Sequence, residues 1–143
     1  MPATQAKGGF GTKLFRDDGT GTFVAIAEVM DINGPELTQI LDDATNNDST
    51  NGWGEKVAVG VREAGDVTFQ VNLLQDNVTQ NNLYNDLNAS TQRNFRLVYP
   101  SGTKRLSFAG FVQRIGHTFP VKGKLLQDVT ISITGPVVKE NNP

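Results

Sequence analysis

Eight residues, Asp66-Val67-Thr68-Phe69-Gln70-Val71-Asn72-Leu73, alternate without exception between polar at even positions and apolar at odd ones. Strict period-2 alternation over this length specifies a strand with one face in a core and the other in a polar setting. A short helix candidate follows, and then a second strand from Asn94 to Tyr99. A strand–helix–strand unit of this size cannot bury its own apolar face. It needs more sheet, from the rest of the chain or from neighbouring copies.

The rest of the chain supplies mostly further strands. Lys13 to Arg16 reads as a short strand ended by the turn Asp17-Asp18-Gly19, and Phe23 to Ile32 as a longer one in which Glu28 is the misfit. Pro100-Ser101-Gly102 marks a hairpin between Phe95–Tyr99 and Arg105–Ile115, with Gly110 as a bulge or close-approach point. Gln127 to Thr134 repeats the alternation through Val129, Ile131 and Ile133. Between the central strands, Asp76 or Thr79 can cap a helix reaching about Leu87, with a thin apolar stripe of Val78, Leu83 and Leu87. The pattern predicts seven or eight strands and one helix, a mostly β chain folded as a two-sheet sandwich or rolled barrel.

Three segments read as less ordered within a single domain spanning 1–143. Residues 1–12 are expected as a mobile arm, 46–60 as a long mobile loop with Trp53 its one large aromatic, and 136–143 as a polar tail. Segment 36–45 is ambiguous. Leu37, Ile40, Leu41 and Ala44 have helical spacing after Pro35, so local pattern alone favours a helix.

Composition narrows the function classes. The formal charge is −2, and the sequence pI is near 5.3, whereas nucleic-acid-binding surfaces are usually basic. With no cysteine there is no disulfide framework or thiolate metal site. No apolar run is long enough for a membrane span, and the N-terminus lacks the apolar core of a signal peptide, so the expectation is a soluble protein made in a cytoplasm. His117 is the single histidine and has no second imidazole to share a metal. Adjacent Asp42 and Asp43 point to opposite faces if they lie on a strand. Phosphate-loop and nucleophile-elbow motifs are missing too. No catalytic, cofactor or metal residue is nominated, and the expectation is a non-enzyme.

Taken in order, GTKL, FVAIAEVMDINGPEL, ILDDATNNDSTNGWGEKVAVGVREAGDVTFQVNL, the short helix, RNFRLVYPSG, LSFAGFVQRIGHTFPV and LLQDVTISITGP resemble the tail tube proteins of long, flexible-tailed phages. The more specific parts are Asp42-Asp43-Ala44-Thr45 leading to a loop with Gly52-Trp53, and Glu63-Ala64-Gly65-Asp66 leading into the alternating strand. The closing Val129-Thr130-Ile131-Ser132-Ile133-Thr134-Gly135 is a third. The resemblance covers about residues 10–137.

What it implies is a β-sandwich with one helix, whose six-fold rings stack into a hollow tube. Its partners would be other copies of itself, the tape measure, tail tip and terminator proteins, and DNA passing without specific binding. The location implied is the virion tail, after assembly in the host cytoplasm. The resemblance also makes 37–45 a strand, against the local helical pattern; Ile40 and Leu41 suit a strand and the helical match is only four residues, so a strand is expected. It assigns the loop bearing Gly52, Trp53, Glu55 and Lys56 to contacts between subunits or rings. Thr68, Gln70 and Asn72, uncharged on the polar face of the alternating strand, suit a channel wall past which DNA slides; the other reading is the solvated face of a monomer. The competing class is a non-catalytic β-sandwich binding module of the carbohydrate-binding or adhesion kind, for which Trp53 and Tyr84 are the candidate exposed aromatics.

Overall fold

A computed structural model describes residues 8–142. Its elements are β1 (Lys13–Asp17), β2 (Phe23–Ala25), β3 (Val29–Asn33), β4 (Leu37–Asp43), β5 (Lys56–Ala64), β6 (Asp66–Asn72), α1 (Val78–Ala89), β7 (Arg93–Val98), β8 (Lys104–Thr118) and β9 (Leu126–Asn141). Seven strands form one antiparallel sheet in the order β2-β1-β7-β8-β9-β6-β3, and β4 pairs with β5 in a separate two-stranded ribbon.

The seven-stranded sheet curls on itself. Its two edge strands, β2 and β3, are only three residues apart in the chain. Leu14 near one edge and Val67 and Phe69 near the other belong to one core cluster with Phe95, Phe108, Val129 and Ile131. This is the rolled form of the expected architecture. Val67, Phe69 and Val71 are buried as the alternation requires, and β6 pairs with β9 in unbroken register from Asp66↔Ser132 to Asn72↔Leu126. Gly110 is a close-approach point: a Cβ there would stand 2.5 Å from the Ser132 carbonyl oxygen across the β8–β9 ladder.

Helix α1 lies against β8, with Leu83 fully buried. Its cap is Asn77, between the two residues the sequence nominates. The Asn77 Oδ1 accepts from the backbone N–H of Thr79 at 3.0 Å and of Gln80 at 3.4 Å. The buried stripe is Gln80, Leu83 and Asp86, at i, i+3 and i+6, while Val78 is exposed. Hydrophobic periodicity finds Leu83, with Leu87 half-buried beside the core, but not the polar Gln80 and Asp86.

The sequence reading needs three corrections. Phe23 to Ile32 is not one strand: Glu28 has a left-handed φ of 59° and separates β2 from β3 where the chain crosses the seam between the sheet's two edges. That conformation costs a non-glycine residue roughly 1 kcal/mol; here the Glu28 carbonyl accepts from Asn72 N at 3.1 Å. Residues 37–43 form a strand, as the resemblance implies and against the local helical pattern, because β5 offers them a β-branched partner and the helical spacing falls on both faces of the resulting ribbon. Lys56–Gly60, expected within the loop, belongs to β5. Residues 136–141, expected as a polar tail, continue β9, whose Val138, Lys139 and Glu140 pair with Ser107, Leu106 and Arg105. Of the expected N-terminal arm, residues 1–7 lie outside the described residues, and residues 8–12 include a turn closed by Thr12 on the Gly9 carbonyl.

Candidate functional site: a projecting ribbon and a polar strand face

Ribbon β4–β5 exposes apolar side chains that the described residues do not cover. The register pairs Asp43 with Lys56, Leu41 with Ala58, Gln39 with Arg62 and Leu37 with Ala64 on one face. By alternation the other face carries Thr38, Ile40, Asp42, Val57, Val59, Val61 and Glu63. The three valines are exposed, as are Leu37 and Leu41. Only the base of the ribbon meets the body, across a groove of about 730 Å³ lined by Leu37, Arg62, Ala64, Ile133, Pro136 and Val137. An isolated two-stranded ribbon is at best marginally stable in water. β-Branched side chains on a surface of this kind mark a contact face.

The ribbon's tip is held by its own polar groups. Thr45 Oγ1 accepts from Glu55 N at 2.7 Å, and Ala44 N donates to the Glu55 carbonyl at 2.9 Å. Asn46 Oδ1 accepts from Asp48 N, and Ser49 Oγ accepts from Asn46 N. A 3-10 turn at Thr50–Gly52 then delivers Trp53 to the surface, 74% exposed. The side-chain hydroxyl of Thr45, and then its backbone N–H, hold the Asp43 carboxyl below its ordinary pKa of 3.8. Of the residues nominated here, Gly52, Trp53 and Glu55 share the tip, and Lys56 begins β5 beside them.

The second nominated surface lies on β6. Thr68 is exposed and pairs with Thr130 of β9. Gln70 is half-buried, its Nε2 donating to Asp128 Oδ1 at 2.9 Å. Asn72 is half-buried, and its Oδ1 has no hydrogen-bond partner. The register also places Arg114 of β8 across from Thr130, so this face carries Asp66, Asp128 and Arg114 beside the three uncharged residues.

One polar cluster escaped the sequence reading. Arg16 of β1 forks onto Asp86 of α1, Nε to Oδ2 at 2.6 Å and Nη2 to Oδ1 at 2.7 Å, and Arg93 Nε adds a contact at 3.2 Å. Seventy positions separate Arg16 from Asp86, and no local signal marks them as partners. Among the described residues no three histidines or acids gather as a metal site, and no helix is long and apolar enough to cross a membrane. Asp42 and Asp43 lie on opposite faces of the ribbon.

A curled β-body with an uncovered ribbon and a self-ordered tip defines a subunit of a larger β assembly. The chain belongs to the lambda phage tail tube protein family, whose model matches residues 10–138, and it is a structural protein of a phage tail tube. No curated protein sequence matches it. Among solved structures it is similar to the tail of an empty gene transfer agent particle with C6 symmetry, at 18% identity and a TM-score of 0.80 over 93% of this chain and 98% of that one. It is also similar to the SPP1 tail tube (11% identity, TM-score 0.67, 92% and 77% covered). A third likeness is to a chain of the anti-feeding prophage baseplate (9%, 0.70, 98% and 96%). At these identities the likeness is one of fold. Family membership favours the tube reading over the binding module.

Proposed function

We propose that the chain, acting as one 143-residue unit, closes into six-membered rings that stack into the tail tube, with DNA passing through the lumen. The observation that carries this is the uncovered apolar ribbon. Leu41, Val57, Val59 and Val61 are exposed on a two-stranded element that the described residues leave uncovered. Other copies can supply the missing layer by heterologous contacts that close on themselves. The C6 symmetry of the gene transfer agent tail supports six as the number. On this reading Trp53, Gly52, Glu55 and Lys56 contact a neighbouring subunit or ring, and Thr68, Gln70 and Asn72 line the lumen. The tape measure, tail tip and terminator proteins are its further partners, and assembly takes place in the host cytoplasm. The role is structural and calls on no catalytic group, metal or cofactor. Electron microscopy of the concentrated protein tests the reading: stacked six-fold rings are expected, and dispersed monomers at every concentration would overturn it.

A further inference from the structure

The two ends of the run from β5 through β6 carry opposite chemistry. Chain flow passes from the ribbon tip down β5, through Gly65 alone, and on along β6 to Asn72. At that far end Asn72 pairs with Leu126, and Leu73 N donates to the Leu125 carbonyl at 2.9 Å. The β8–β9 turn, residues 119–125, therefore sits at the opposite end of the run from the tip.

The tip segment 42–56 has four acids (Asp42, Asp43, Asp48, Glu55) and one lysine, a net charge of −3. The turn segment 119–125 has Lys122 and Lys124 and no acid, a net charge of +2. None of these residues takes part in an ion pair among the described residues. Lys124 Nζ lies 3.6 Å from the Met30 sulfur, and the nearby Asp128 is held by Gln70. Asp31 lies on β3 beside Met30 and Asp76 in the link between β6 and α1; neither belongs to the turn. Each end also exposes large apolar groups: Trp53 at the tip, and Phe119 and Val121 at the turn, the last 99% exposed.

We propose that the acidic, tryptophan-bearing tip of one copy seats on the basic β8–β9 turn of a second copy. Trp53 would pack against Phe119 and Val121 while Lys122 and Lys124 face the tip carboxylates. An interface joining opposite ends of the same subunit is head-to-tail, so it extends the assembly along one direction. Complementary charge sets register and partner, while the aromatic in an apolar seat supplies affinity. This inference rests on the tube reading and adds the surface that receives the tip.

The absence of cysteine from the chain makes the test direct. Thr50→Cys and Val121→Cys proteins, mixed under assembly conditions and oxidised, should form a disulfide-linked pair containing one of each. Neither variant alone should cross-link. In a parallel arm, Lys122→Glu with Lys124→Glu should raise the concentration needed for tubes by about tenfold or more. Adding Asp48→Lys and Glu55→Lys to the same chain should restore assembly, and the circular dichroism of each monomer checks its fold. Tubes that form without the mixed cross-link, or a charge reversal that leaves assembly unchanged, would overturn the inference and leave the tube reading intact. A wild-type protein that never assembles would instead overturn the tube reading, and this inference with it.

Discussion

At Asp86 a single carboxylate on α1 accepts from Arg16 of β1 and from Arg93 of β7, and it is 3% exposed. Arg16 is buried as well, pointing inward beside Leu14 on a strand whose alternation continues through a charge. Removing one partner of such a pair leaves the other charge buried and uncompensated, which typically costs 3–5 kcal/mol. Asp86→Ala should therefore lose about 3–5 kcal/mol of unfolding free energy in urea titration. Arg93→Gln, at the more exposed contact, should lose under about 1 kcal/mol. Similar losses for the two would show that the fork from Arg16 is not the stronger link. Gln80 works in the same region by hydrogen bonding: its Nε2 donates to the Ala27 and Asn72 carbonyls and its Oε1 accepts from Leu74 N. With Thr79 Oγ1 on Ala27 N, it closes the seam where the curled sheet's edges come together.

The ribbon differs from the body in how it is stabilised. Its tip is ordered by short polar contacts around Thr45, so Trp53 is presented on a fixed turn. As the chain's one tryptophan, it reports the tip alone. Its emission should be red-shifted in the monomer and move to the blue on assembly, and Trp53→Ala should impair stacking while leaving the monomer's circular dichroism unchanged. An emission that does not move on assembly would remove Trp53 from the contact. The Asp43 carboxyl adds a pH dependence. Its folded pKa is depressed by Thr45, so its contribution to order is complete above the ordinary value of 3.8 and is lost as pH falls through the lowered one. Thr45→Val should move the Asp43 titration, followed by carboxyl NMR, upward toward 3.8.

For the assembled molecule, the face of β6 bears on what a tube wall must do. Thr68 and Thr130 are a neutral pair of neighbours on that face. A wall lined by basic groups would hold phosphate, because each neutralised phosphate releases condensed counterions. Thr68→Lys combined with Thr130→Lys should leave particles normal in the microscope and reduce infectivity. Gln70→Lys alone is a weaker probe, because Asp128 stands ready to neutralise it. Full infectivity of the double variant would place this face away from the lumen.

How much of this was legible in the sequence depended on the range over which each signal acts. Alternation is local, so β6, the inward set Val67, Phe69 and Val71, the β7–β8 hairpin and the turn after β1 could be read directly from residue order. The helix and its inward Leu83 could be placed, but not its cap or the burial of Gln80 and Asp86, which have partners distant in the chain. The run 23–32 read as a single strand, since nothing local shows that the sheet curls and that the chain must break at Glu28 to pass between its edges. In segment 37–43 the local spacing favoured a helix and only the resemblance pointed to a strand, because its strand state depends on pairing with β5. The order of features along the chain was enough to suggest the family. Only tertiary structure showed that the ribbon stands uncovered, and that its acidic tip and the basic turn lie at opposite ends of one strand run. Pairing register and the curl of the sheet are long-range properties that no window of sequence contains.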